Sequence, residues 1–259
     1  MKTRHEFSRR RFSPESAARI TLRACLLALI VTCIGCGETN REVFKRYEPQ
    51  FAQKRQQFNQ IAKTLPPSGS VKAAIVADLS PAPVYDAKSK SYNTEIVMYD
   101  QLLDPDIQSE DHSRLDLLLS GDLLTCMKWT GPNNPMSATA LDERAGNMEH
   151  TLKKALALRY LVVLRPANFV PPVAVNESTY KPGTADIEAF VVDMESIKVA
   201  GSFRFAAQSA SQVEYSYKEG QSRPSQLAEF AYSSLYSDAR RKLAPLLEHA
   251  TGGQFVLED

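Results

Sequence analysis

The segment Tyr160-Leu-Val-Val-Leu164 is an uninterrupted apolar run bounded by Arg165 and Pro166. A run that is apolar at every position fits a strand with both faces buried, which places it at the centre of a sheet. Two further runs follow it, Asp186-Ile-Glu-Ala-Phe-Val-Val-Asp193 and Lys198-Val-Ala-Gly-Ser-Phe-Arg-Phe205. Their side chains alternate between two faces, and the four residues between the runs suit a turn. The sequence therefore predicts a hairpin beside a central strand.

The rest of the chain supplies helices and additional strands around this hairpin. Apolar residues recur at helical spacing over residues 43–65, 141–156 and 225–247, with Ser137 or Thr139 as a cap for the second helix. Val71–Ala77 reads as a strand of the same sheet, residues 93–99 fit another strand, and residues 115–129 fit a helix or a strand. This order predicts an α/β fold with a single mixed β-sheet and flanking amphipathic helices, forming one domain over residues 42–259.

Proline and glycine mark the predicted loops and irregularities. Four prolines lie between Pro166 and Gly183, which predicts an ordered, proline-rich surface loop. Residues 78–90 are predicted to be irregular, and Gly252-Gly253 ends the last helix. Gly201 lies within a predicted strand and marks a bulge or close backbone packing.

The charge of the chain is unevenly distributed. The formal net charge is +1, but residues 1–23 hold seven Lys or Arg against two Glu, which leaves 24 basic and 28 acidic residues in the remainder. With 43% hydrophobic and 24% charged residues, the chain has the composition of an ordinary folded protein. A basic leader followed by a mildly acidic body is typical of an exported protein and argues against nucleic acid as a partner.

The leader continues into an apolar run, residues 24–35, that stops at Cys36. Twelve residues are too few to span a bilayer and suit the apolar region of a signal peptide, although an uncleaved signal anchor is the alternative. Cys33-Ile-Gly-Cys36 resembles the lipobox of bacterial lipoproteins, with Gly35 and Cys36 matching and Cys33 and Ile34 departing from the preferred types. The resemblance implies a signal peptide over residues 1–35, cleavage between Gly35 and Cys36, a lipid on Cys36, and a lipidated tether over residues 36–41.

The resemblance also bears on the export route and on the final location. Arg9 and Arg10 lie in Ser8-Arg-Arg-Arg-Phe12, which resembles a twin-arginine export signal. The alternative is an ordinary arginine-rich leader for the general secretory route. A lipid on Cys36 would attach the protein to a membrane of the bacterial cell envelope, facing the periplasm. Gly37 follows the cysteine, which in the enterobacterial sorting pattern favours the outer membrane.

The order of elements from the second helix to the last helix resembles the small α/β domains of bacterial envelope lipoproteins, such as curli-secretion lipoproteins and activators of penicillin-binding proteins. The resemblance covers less than half of the chain and depends on the strand pattern alone. It transfers no site residue to this chain.

The cysteine and histidine positions indicate little chemistry. Cys126 is the thiol that remains after the leader and Cys36, and its apolar surroundings predict a buried, inert side chain. His112, His150 and His249 lie far apart among polar neighbours and are interpreted as solvated surface residues. The acidic residues 104–111 beside His112 lack the spacing of a calcium loop and are interpreted as a solvated loop.

No catalytic or cofactor motif is present in the mature chain: there is no Gly-x-Ser-x-Gly, no Walker sequence and no His-Glu-x-x-His. Arg165, Asp193 and Tyr215 lie at or near strand ends, where sites in α/β sheets often occur, but nothing assigns them a role. We therefore expect no metal and no organic cofactor. Two functions remain open, a non-enzymatic module that docks an envelope protein or supports the envelope, and a small periplasmic hydrolase or small-molecule-binding protein.

Overall fold

The computed structural model describes residues 37–72, 79–89, 91–105, 122–212 and 222–257. Within these residues the strands are β1 (Val84–Asp86), β2 (Ser91–Tyr92), β3 (Thr94–Met98), β4 (Tyr160–Val170), β5 (Val173–Ala174), β6 (Tyr180–Lys181), β7 (Thr184–Asp193), β8 (Lys198–Gln208) and β9 (Gln254–Val256). The helices are α1 (Asn40–Thr64), α2 (Tyr99–Leu103), α3 (Asp122–Trp129), α4 (Ala138–Asp142), α5 (Met148–Leu156) and α6 (Arg223–Thr251).

The main sheet has four strands in the order β3-β4-β7-β8. β3 pairs with β4 in parallel, whereas β4, β7 and β8 are antiparallel neighbours. The hairpin of β7 and β8 confirms the prediction from the sequence, and Met194 to Ile197 form its turn. The register shifts where Val191 faces Gly201 and Val192 faces Val199, so a bulge lies beside the glycine, as the sequence indicated.

Both faces of the main sheet are buried, which makes it the middle of three layers. On one face Leu161, Val163, Phe190 and Val192 pack in a cluster with residues of α1, α3 and α5. On the other face residues such as Val162 pack in a second cluster with residues of α6. Burial on both sides explains why the segment that opens β4 is apolar at every position. The predicted α/β class, with a mixed sheet and flanking amphipathic helices, is confirmed.

The helix ends follow ordinary capping chemistry. Thr39 and Glu42 form a capping box at the start of α1, and Pro49 lies inside that helix. Ser137 caps α4 by accepting a hydrogen bond from Ala140. α6 ends at Gly252, whose φ of 67° lies in the left-handed region that glycine tolerates.

Four predictions need correction. The helix predicted over residues 141–156 is divided into α4 and α5, and the break contains Gly146 with a φ of +49°. The loop predicted over residues 166–183 instead contains the end of β4 and the hairpin of β5 and β6, because a bulge between Pro166 and Asn168 accommodates the proline within a strand. Residues 84–86 form β1, inside the segment predicted to be irregular.

The last correction concerns the number of sheets. The prediction of a single sheet is incomplete, because β2-β1-β9 and β5-β6 form two small sheets beside the main one. Their strands have two or three residues, which is too short to produce a detectable alternation. The predicted strand Val71–Ala77 lies largely outside the described residues, and Val71 and Lys72 are not in a strand.

Candidate functional site

The segment 170–181, which we name the valine hairpin, carries the most exposed apolar side chains of the described residues other than Leu103. Val170, Val173 and Val175 are 48%, 53% and 59% exposed. They follow one another along the end of β4, through β5 and just beyond it. Val173 and Val175 are two residues apart, so extended backbone directs both side chains to the same side. Exposed apolar groups clustered in this way mark interaction surfaces more often than single exposed side chains do.

The tip of the valine hairpin is closed by the side chain of Asn176. Its Oδ1 atom accepts hydrogen bonds from the backbone N–H groups of Ser178 at 2.9 Å and Thr179 at 2.8 Å. The backbone N–H of Val175 donates to the carbonyl oxygen of Thr179 at 2.8 Å. This Asx turn fixes the backbone that presents Val175.

The base of the valine hairpin is held by close backbone packing at Gly183. A Cβ atom at this position would lie 2.5 Å from Cδ of Pro172 and 2.8 Å from the carbonyl oxygen of Val170, so a larger residue does not fit. The backbone N–H of Gly183 donates to Oγ of Ser209 at 2.9 Å, and the backbone N–H of Ser209 donates to the carbonyl oxygen of Gly183 at 3.0 Å. The hydroxyl of Tyr180 donates to the carbonyl of Ala210. The exposed valines therefore stand on an anchored hairpin.

Arg165, which the sequence placed at a strand end without a role, forms a buried ion pair with Glu188. Nη2 and Nε of Arg165 donate to Oε2 of Glu188 at 2.8 and 3.1 Å. Oε1 of Glu188 accepts the backbone N–H of Val71 at 3.0 Å. The guanidinium also lies over the rings of Tyr99 and Phe190. The pair thus fastens the segment after α1 to the sheet.

The charge state of Glu188 follows from these contacts. Burial raises the pKa of its carboxyl, but the hydrogen bonds from Val71, Arg165 and Gly69 outweigh burial and hold the pKa below its ordinary value. Arg165 is 8% exposed and Glu188 is completely buried. The hydrogen bonds described above join Arg165 and Glu188 to groups inside the protein. The pair is therefore a structural element of the fold.

Removing one member of this pair is expected to destabilise the protein strongly. Glu188→Ala leaves the Arg165 cation buried without its carboxylate and should lower the free energy of unfolding by about 3–5 kcal/mol, measured by urea unfolding. The matched control is Asp186→Ala, because the pair of Asp186 with Arg204 is partly exposed to water and should contribute at most about 1 kcal/mol. Equal losses in the two variants would contradict the buried pair as described.

Asp193, the second residue that the sequence placed near a strand end, stabilises the turn between β7 and β8. Asp193 pairs with Arg159 at 2.8 Å, and its other oxygen accepts the backbone N–H groups of Glu195 and Ser196, which shapes the hairpin turn. His150 and His249 are exposed, as predicted. His112 and Tyr215 lie outside the described residues, and so does most of the predicted acidic loop.

Cys126 is completely buried on α3, as predicted. Burial, with smaller effects from Asp122 and Glu95, raises the pKa of its thiol to about 12. A thiol with that pKa holds almost no thiolate at neutral pH and is a poor nucleophile.

Glu95 is a buried carboxyl that the sequence interpretation did not single out. It lies on β3 with 1% of its surface exposed, and neither carboxylate oxygen has a hydrogen-bond partner of normal geometry among the described residues. Burial raises its pKa to about 8, against smaller opposing effects of the Leu123 backbone and of Lys154. In the sequence, this buried carboxyl is indicated by a charged residue inside the apolar run that forms β3.

The residues proposed for lipid attachment and export are not placed by the structure. Arg9, Arg10, Gly35 and Cys36 lie in residues 1–36, outside the described residues. Among the described residues, no helix combines the length and the apolar character needed to cross a bilayer. These residues also contain no group of three or more His, Cys, Asp or Glu side chains arranged to hold a metal ion.

The comparisons with known proteins do not add a function. No family model matches this chain, and neither a curated protein nor a solved structure is significantly similar to it.

Proposed function

We propose that this protein is a lipid-anchored component of the bacterial cell envelope that docks a protein partner through the valine hairpin. The anchor is a lipid on Cys36 after cleavage at Gly35, supported by the basic leader and the short apolar run that stops at this cysteine. The protein faces the periplasm, and Gly37 after the cysteine favours the outer membrane over the inner one. The proposal assigns it no reaction and no cofactor.

The start of the folded domain is consistent with an anchor at Cys36. The carbonyl oxygen of Glu38 accepts the backbone N–H of Ala145 at 3.0 Å, and Thr39 forms a β-bridge with Arg144. Part of the tether expected over residues 36–41 is therefore bonded to the domain. Cys36 is two residues from Glu38, a distance of at most about 7 Å. A lipid on Cys36 would hold the domain close to the membrane surface.

The observation that carries the docking function is the set of three exposed valines on an anchored hairpin. Val170, Val173 and Val175 are each about half exposed, whereas Val162 and Val163 near the start of β4 are completely buried. A fixed apolar surface loses little conformational entropy when a partner binds, which favours association. The partner surface that fits these valines is apolar, and the anchor restricts the partner to proteins of the envelope.

The lipid is tested by metabolic labelling with a palmitate analogue in a bacterial host. The intact protein should incorporate label and separate with the membranes, because two or three acyl chains bind a bilayer durably. Cys36→Ser should lose the label completely and should accumulate as an uncleaved precursor or a soluble form. Label retained by Cys36→Ser, or a mature amino terminus at another residue, would refute the anchor. Cys126→Ser is the matched control and should label normally.

The docking surface is tested by site-specific photocrosslinking in intact cells. A photoreactive amino acid at Val173 should give one defined adduct, which Val175→Asp should reduce because it places a charge on the apolar surface. The same photoreactive group at Gln60, exposed on α1, is the control and should not give that adduct. An adduct at Gln60 alone, or one at Val173 that Val175→Asp leaves unchanged, would contradict docking by the valine hairpin.

A further inference from the structure

A groove of about 480 Å³ lies between α6 and the strand β9, and none of its lining residues belongs to the valine hairpin or to the pair of Arg165 and Glu188. One wall is formed by Ser237, Arg240, Arg241 and Ala244, which are spaced along α6 so that they share one face of the helix. The opposite wall is formed by residues 255–257. The volume lies within the range of sites that bind small organic molecules.

The two walls of the groove differ in chemistry. β9 contributes Phe255 and Val256, Leu257 follows this strand, and the helix adds Ala244, so one side is apolar. The helix also contributes two guanidinium groups and the hydroxyl of Ser237. Residues 237–244 carry three basic residues and one acidic residue, a net charge of +2. A ligand that matches both walls has an anionic head and an apolar body.

The acidic residue of this helix segment is already engaged with several donors. Asp238 accepts a hydrogen bond from the backbone N–H of Gln208 at 3.0 Å and pairs with Lys242 at 2.7 Å and Arg241 at 2.5 Å. The pairing with Arg241 uses Nη2, and a guanidinium has five N–H donors in total. Asp238 therefore orients Arg241 at the groove, and the guanidinium retains donors for an oxyanion.

The nearby carboxylate of Glu248 also forms a hydrogen bond within the fold. Oε1 of Glu248, one helical turn after Ala244, accepts the backbone N–H of Phe255 at 3.2 Å. β9 is the edge strand of its small sheet, so this contact caps a backbone donor on the side facing away from β1. Glu248 thus stabilises the apolar wall, and it is absent from the residues that line the groove.

We propose that this groove binds a single-chain amphipathic oxyanion, with its head on Arg240 and Arg241 and its apolar chain along residues 255–257. Guanidinium groups bind carboxylates and phosphates through charge-assisted hydrogen bonds, and bidentate geometry makes these contacts specific. The apolar wall stabilises the chain by removing it from water. The inference is independent of the docking function, because the valine hairpin contributes no residue to the groove.

The test is calorimetric titration of the purified full-length protein with octanoate and with octanamide, which has the same chain and no charge. Octanoate should bind at least about ten-fold more tightly than octanamide. Arg240→Gln combined with Arg241→Gln should weaken octanoate at least about ten-fold, since each charge-assisted hydrogen bond contributes substantially. Lys45→Gln, which removes an exposed cation of α1, is the matched control and should leave the affinity unchanged. Thermal melting verifies that the variants are folded.

A second variant tests the position of the chain. Ala244→Trp fills the groove between the arginines and β9 and should abolish octanoate binding while both guanidinium groups remain. Lysophosphatidylglycerol added to the titration distinguishes a free ligand from a membrane lipid, because a lipid source predicts that this single-chain anionic lipid competes with octanoate and a free ligand predicts that it does not. Equal affinity for octanamide, no heat with octanoate, or unchanged binding in the double arginine variant would overturn the proposal.

Discussion

Val163→Asp is expected to leave the protein without a folded domain. Val163 lies in the middle of β4, between Val97 on β3 and Phe190 on β7, and it is completely buried. An aspartate there would be surrounded by the apolar cluster of α1, α3 and α5. Burying an unpaired carboxylate costs several kcal/mol, which is comparable with the total stability of about 5–15 kcal/mol that a domain has. Far-ultraviolet circular dichroism and thermal melting measure the outcome.

The same substitution at an exposed valine is the control for this prediction. Val173→Asp places the charge on the valine hairpin, where half of the side chain is in water, and its melting temperature should match that of the unmodified protein. A soluble Val163→Asp variant with unchanged melting would mean that β4 is not the central strand. Unfolding of both variants would mean that the hairpin contributes more to stability than its exposure indicates.

The central strand was predictable because its position in the fold determines its residue types. Residues 160–164 are buried on both sides, β7 is a long strand buried at every position from Ile187 to Val192, and the end of β8 alternates between buried and exposed side chains. Long, regular patterns of this kind identify an element without knowledge of its neighbours. The helices α1 and α6 were predictable for the same reason, since each has an apolar stripe over many turns.

The short strands were not predictable from their own residues. β9 has three residues and becomes a strand because α6 returns the chain to β1, whose residues 84–86 pair with it in parallel. β5 and β6 have two residues each and pair because Gly183 permits close contact with Pro172 and Val170. In both cases tertiary contacts outweigh a weak local preference.

The surfaces proposed for binding were missed for a related reason. Exposed valines at positions 170, 173 and 175 resemble ordinary strand residues in the sequence, and only the fold shows that about half of each side chain remains exposed. The groove brings Arg240 and Arg241 of α6 together with residues 255–257, which follow the end of that helix. The lipid proposed on Cys36 is the opposite case, since the signal that predicts it is entirely local in the sequence.

Glu95→Gln is expected to remove most of a pH dependence of stability that the unmodified protein has. The carboxyl has an ordinary pKa of 4.5 and a folded-state pKa of about 8, because it is buried on β3 without a hydrogen-bond partner of normal geometry among the described residues. Between these two values the folded protein retains a proton that the unfolded chain releases. The free energy of unfolding therefore falls as the pH rises through this window.

The size of this decrease in the free energy of unfolding follows from the width of the window between pH 4.5 and about 8. The accumulated loss of stability is about 5 kcal/mol at and above the folded-state pKa, and it is absent below pH 4.5. Glutamine has nearly the same shape and no charge to bury. The free energy of unfolding of the variant should therefore exceed that of the unmodified protein by about this amount at pH 9. At pH 4.5 the two proteins should differ little.

Urea unfolding at pH 4.5, 7 and 9 measures this difference directly. Glu143→Gln is the control, because Glu143 is exposed in the loop before α5 and its neutralisation should leave the pH profile nearly parallel to that of the unmodified protein. The thiol of Cys126, with an ordinary pKa of 9.0 and a folded-state pKa of about 12, adds to the pH dependence only near pH 9, and its contribution cancels because both proteins contain it. If Glu95→Gln and the unmodified protein lose stability equally between pH 4.5 and 9, then Glu95 is ionised in the folded protein and must have a partner that compensates its charge.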